Sequence, residues 1–163
     1  MKTVSISYYD NPKKDMVVKQ YREDKKMALF ENLIREESDG TISFGDYTLE
    51  TKQKVSDFQH NGDLYKVKTF YEITKLEKNG LFVYESVPGT AVSHLDISEK
   101  EVSFNVKGNE DAQITLELEP EKEYKIFVDG INLGKMKTNL GGKLMISTEL
   151  NCEKEVQVRV IKL

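Results

Sequence analysis

The side chains of this 163-residue chain that could do chemistry are few: two histidines, one cysteine, and tyrosines scattered among acidic runs. His60 and His94 stand far apart in sequence and match no metal-ligand spacing. His60 adjoins Asn61-Gly62, a turn pair, and is expected at the surface; His94 is expected to face outward from a strand. Cys152 sits in the polar stretch Asn151-Cys152-Glu153-Lys154, which predicts an exposed loop thiol rather than a nucleophile. No Gly-x-Ser-x-Gly elbow is present. Gly141-Gly142 precedes a strand-like run instead of opening a helix, so it reads as a turn and not as a phosphate cradle. Glu36-Glu37, Glu110-Asp111 and Glu119–Glu123 lack the alternating acidic pattern and glycine of a calcium loop and read as solvated turns. These observations predict no catalytic residue, no metal ligand and no cofactor. Tyr65, Tyr71 and Tyr84 are the candidate ligand-binding residues, because an exposed ring can stack on a sugar; the competing expectation is that they pack in the core with the other aromatics.

The elements that must position these residues are strands. Gln113–Leu118, Glu123–Val128, Lys143–Ile146 and Val156–Ile161 alternate polar and apolar residues, and a period of two puts alternate side chains on opposite faces of a strand. Ile114, Leu116, Leu118, Tyr124, Ile126, Val128, Leu144, Ile146, Val156, Val158 and Val160 are therefore expected to share one buried layer. Upstream, Asp39-Gly40, Asn61-Gly62 and Asn79-Gly80 each separate two strand-like runs, the residue pairs that tight hairpins favour. Val87-Pro88-Gly89-Thr90 interrupts the alternation and predicts a boundary. The expected protein is all-β: a leader at 1–26, an N-terminal antiparallel hairpin sheet at 27–87, and a small immunoglobulin- or fibronectin-like β-sandwich at 88–163. Leu49, Lys52, Val55 and Phe58 form the one helix-like spacing, at 49–58.

Composition bounds the partners. With 24 basic and 28 acidic residues interspersed, the formal charge is −4, which argues against a nucleic-acid footprint. No apolar run approaches the roughly 20 residues of a membrane span, and the opening residues lack a signal-peptide core. The expected setting is the cytoplasm. Residues 1–26 combine Pro12, lysine pairs and the charged run Arg22–Lys26, which predicts a mobile leader. Arg22-Glu23-Asp24 can also be encoded by a purine-rich ribosome-binding signal, which would make Met27 the true start.

Glu37–Gly45, Asn61–Phe70, Phe82–Val92 and Asp111–Leu118 resemble, as part of a similarity covering essentially Met27 onward, short bacterial proteins commonly labelled endosialidase. The label implies a sialidase, whose site gathers arginines around the substrate carboxylate beside acidic residues and often a tyrosine nucleophile. Here the arginines are Arg22, Arg35 and Arg159, there is no Trp for an Asp-box, and the length falls short of a propeller. No catalytic residue is carried over. The function expected is that of a non-catalytic structural or protein-interaction protein, with a copy of itself or a second protein as partner. A glycan-binding or glycan-acting protein is the alternative, and a small-ligand pocket between the two halves is a third.

Overall fold

The computed structural model describes residues 31–163, so the leader expected at 1–26 and the start at Met27 lie outside the described residues. The protein is all-β, and the described residues form thirteen strands in two antiparallel sheets. The six-stranded sheet contains the hairpin meander β3 (Gln53–His60), β4 (Asp63–Phe70), β5 (Ile73–Lys78) and β6 (Leu81–Val87), continued by β9 (Ala112–Glu117) and β12 (Lys143–Thr148). The seven-stranded sheet runs β1 (Ile34–Glu36), β2 (Ile42–Phe44), β7 (Ala91–Ile97), β8 (Glu101–Lys107), β13 (Val156–Lys162), β10 (Glu123–Val128) and β11 (Ile131–Lys137).

The turn residues act as their chemistry dictates. Asn61 and Gly62, Asn79 and Gly80, and Asp129 and Gly130 all have positive φ, between 50° and 83°, the conformation whose twist matches two antiparallel strands joined by two residues. The Asp39-Gly40 turn is longer: Glu37 N donates to Thr41 O at 2.8 Å, leaving three residues in the loop with Gly40 at φ 86°.

Of the helix-like spacing at 49–58, Val55 and Phe58 belong to β3, and Leu49 and Lys52 lie in the loop that precedes it. Val55 pairs with Val67 and Phe58 with Tyr65, so three steps along β3 match two along β4. A bulge with Asp57 at φ 58° absorbs the extra residue. It returns Val55 and Phe58 to the same half-buried face, which is why a strand shows an i, i+3 apolar pair.

The expected division at 87/88 does not match the strand pairing. Tyr84 on β6 pairs with Leu116 on β9, and Ile42 on β2 pairs with Leu95 on β7, so each sheet joins strands from both halves. Val87-Pro88-Gly89-Thr90 carries the chain from one sheet to the other rather than from one domain to another. Gly89 is required there, because a Cβ would lie 2.0 Å from Phe70 O. The apolar residues expected in one layer line both walls of one interior. Ile114, Leu116, Leu144 and Ile146 come from the six-stranded sheet, and Tyr124, Ile126, Val156, Val158 and Val160 from the other. Leu118 and Val128 pack on it partly buried. At its centre the Tyr84 ring stands edge-on to Phe44, at 5.3 Å, and to Phe104, at 5.6 Å, bridging the sheets.

Candidate functional site

The three candidate tyrosines do not form a platform. Tyr65 and Tyr84 are core residues, Tyr84 only 1% exposed, whereas Tyr71 is 51% exposed in the β4–β5 turn, edge-on to Phe70. The Tyr84 hydroxyl ends a buried polar chain. It hydrogen-bonds Thr90 Oγ1 at 2.7 Å, which also bonds Ser86 Oγ at 2.7 Å. Thr90 N donates to Thr74 Oγ1, Thr74 Oγ1 donates to Thr90 O, and Thr74 Oγ1 bonds Thr69 Oγ1, which accepts from Asp46 N. Burial pushes the Tyr84 phenol far above its ordinary range. Each hydroxyl is satisfied by another, so this chain holds the two sheets together and presents no group to a substrate.

The histidines separate. His60, expected exposed, is 7% exposed: as the last residue of β3 before a two-residue turn, its ring folds back against Tyr65. Its Nε2 accepts from Asn61 Nδ2 at 3.1 Å, while the buried Nδ1 has no hydrogen-bond partner among the described residues and lies 3.6 Å from Glu36 Oε1 of β1. His94 is exposed, as expected, at φ 55° within an irregular stretch of β7. Its Nδ1 lies 3.1 Å from both Asp39 Oδ2 and Thr41 Oγ1, while Thr41 Oγ1 donates to Asp39 Oδ1. A carboxylate–histidine–hydroxyl relay uses the two ring nitrogens for different partners. Here both partners meet one nitrogen, so the cluster is a clasp between the β1–β2 loop and β7. Hydrogen bonds from Thr41 hold the Asp39 carboxyl below its ordinary range, and a hydrogen bond from Ser43 does the same for Glu37.

Two of the three arginines lie in the described residues and do not converge. Arg35 on β1 pairs with Glu37 and Arg159 on β13 with Glu101. Four strand spacings of about 4.8 Å separate β1 from β13, placing the two strands roughly 19 Å apart. Cys152 is exposed and free. Among the described residues no three His, Cys, Asp or Glu side chains are grouped to hold a metal ion. Between the halves, Val83 and Tyr84 from the first and Leu95, Ile97, Val102, Leu116 and Leu118 from the second line a largely apolar cavity of about 70 Å³, with Lys78 and Glu117 also in its wall. That is well below the several hundred Å³ of a small-molecule site.

Among the described residues four strands end the two sheets, β1, β3, β11 and β12, and β11 carries the most exposed large apolar side chains of the four. Among the described residues β11 is bordered by β10 alone, and its other side ends the seven-stranded sheet. Ile131 pairs with Val128 and Met136 with Tyr124, so both lie on the inward-facing side of the sheet, yet Ile131 is 65% and Met136 39% exposed. Leu133, also exposed, sits at the bulge that Gly134 makes at φ 97°. On the outer side Lys135 stands opposite Lys125, and Lys137 opposite Glu123. None of the three lysines has an ion-pair partner among the described residues. The position of β11 at an edge depends on β13 taking the other side of β10, which no local pattern records.

Comparison with protein-family models, curated proteins and solved structures finds no match for this chain.

Proposed function

We propose that this protein is a non-catalytic interaction module that engages its partner through the open edge of β11. The observation that carries this reading is the exposure of Ile131, Leu133 and Met136 along a strand that has one side unoccupied among the described residues. Sheet edges expose unpaired amides and carbonyls and accept added strands. His94, Arg35, Arg159 and the buried hydroxyls of Thr69, Thr74, Tyr84, Ser86 and Thr90 are engaged in ion pairs and hydrogen bonds that serve the fold, which supports binding over catalysis. An exposed free thiol at Cys152 suits the reducing cytoplasm, the setting we assign to it. Among the described residues no helix is long and apolar enough to cross a membrane.

A photo-crosslinking amino acid placed at Asn132, and in a second protein at Asn105 on β8, tests the reading in the native host. Adducts from position 132 and none from 105 are expected. Equal yields from both positions would overturn it.

Tyr71 favours a second reading, a glycan-binding surface, since its ring is the one candidate tyrosine open to a sugar face. Glycan-array binding that disappears in Tyr71→Ala would support that reading, and no binding would remove it.

A further inference from the structure

The chemistry of the β11 edge specifies its occupant. In an antiparallel ladder, residues alternate between bonding the neighbouring strand with both backbone groups and pointing both groups away. Thr138 N donates to Lys122 O at 2.9 Å, in the same register that pairs Met136 with Tyr124 and Gly134 with Ile126. These residues bond toward β10, and the backbone groups of Lys135 and Lys137 point to the open side. A strand added there would place residues opposite Lys135 and Lys137, on the face that also carries Lys125. The residue between them would fall beside Met136, on the apolar face.

We propose that β11 binds an extended segment of another protein in which acidic residues alternate with aliphatic ones. This rests on the reading of β11 as the interaction edge and deepens it by naming the partner's chemistry. Acidic side chains would relieve the repulsion between Lys125 and Lys135, which face each other as like charges. The interspersed aliphatic residues would cover Met136 and extend toward Ile131.

Charge complementarity also decides against a second copy of this chain. Two β11 edges joined about a two-fold axis would bring Lys135 and Lys137 of one copy against those of the other. Glu117-Leu118-Glu119 is the one place in the chain where a branched aliphatic residue stands between two acidic ones. Glu117 is bound to Lys143 and Glu119 to Lys162, and β9 lies between β6 and β12 with both sides occupied.

Three blocked peptides test the proposal by amide NMR of the full chain: one alternating Glu and Val, one Lys and Val, and one Ser and Val. The Glu–Val peptide is expected to shift the amides of Lys135 and Lys137, saturably, with affinity falling as salt is raised. It should bind at least tenfold more tightly than the Ser–Val peptide. The Lys135→Glu/Lys137→Glu variant should lose the Glu–Val peptide and take up the Lys–Val peptide. Should that variant unfold, Lys135→Gln/Lys137→Gln is expected to reduce the preference for Glu–Val to less than threefold. Equal binding of all three peptides at β11 would overturn the acidic partner while leaving the edge reading standing. No shift at β11 with any peptide would overturn both. Concentration-dependent broadening of β11 amides without peptide would assign the edge to a second copy and overturn the proposal.

Discussion

Lys125 on β10 and Lys135 on β11 face each other directly across the ladder, two like charges on the same side of the sheet. Directly opposed like charges destabilise a strand pair by a few tenths of a kcal/mol to about 1 kcal/mol. Lys135→Glu is therefore expected to stabilise the fold by that order. Denaturant melts at low and high salt check it: added salt should narrow the gap between variant and wild type, because the charge interactions on both sides are screened.

Gly89 and Gly62 make a matched pair of tests. A Cβ at Gly89 would lie 2.0 Å from Phe70 O, a backbone atom that cannot move without opening the turn after β4. Gly89→Ala should cost roughly 3–5 kcal/mol or abolish folding. At Gly62 no atom lies within 4 Å of an added Cβ and only the positive φ opposes it. Gly62→Ala should cost about 1 kcal/mol. Similar losses in equilibrium unfolding would refute the steric account.

The interleaved strands predict one cooperative unfolding transition for the described residues. An isolated 88–163 fragment would carry β9 without β6, exposing the pairing edge that Tyr84 and Ser86 occupy. It should give an undispersed NMR spectrum. A dispersed spectrum would mean that the second half folds alone after all.

Alkali should find Tyr84. Its phenol is raised above the ordinary value of 10.0 by burial, so between that value and the folded one the unfolded chain releases a proton that the folded chain retains. Stability is unaffected below pH 10 and falls as pH rises beyond it. Tyr84→Phe removes this contribution, so its stability should decline less steeply in alkali. At neutral pH it should cost about 1 kcal/mol, since Thr90 Oγ1 keeps Ser86 as a partner. Parallel slopes for the two proteins would count against the assignment.

Purified protein is expected to release no sialic acid from polysialic acid. Arg35 and Arg159 are each paired with a glutamate and stand on strands four spacings apart, so the two cannot grip one carboxylate. Release abolished by Arg159→Ala would contradict this.

Legibility in the sequence followed the range of the interaction responsible. Asn61-Gly62 and Asn79-Gly80 encode their turns within two residues, because glycine and asparagine reach positive φ at low cost. The Val55–Phe58 spacing misled because a bulge changes the strand period locally, and Asp57 gives no compositional signal of it. His60 is buried rather than exposed because it packs against Tyr65 and lies beside Glu36, contacts that no local pattern records. The Pro88-Gly89 punctuation does mark a break in the ladder, but whether a break separates domains or sheets depends on where β9 finds its partner. The β11 edge was hidden for the same reason.

The insertion of β13 between β8 and β10 sets an order of events during synthesis. β13 is the last of the thirteen strands to leave the ribosome, and until it does, β8 and β10 each present an open apolar strand to the cell. Every contact that closes the seven-stranded sheet at its middle spans a long stretch of chain, as when Val158 meets Phe104. Such high contact order makes folding slow, and exposed edges during that interval attract chaperones or other nascent chains. Stalling translation just before Val156 should therefore yield a chaperone-bound, protease-sensitive species, and release of the remaining residues should convert it to the resistant fold.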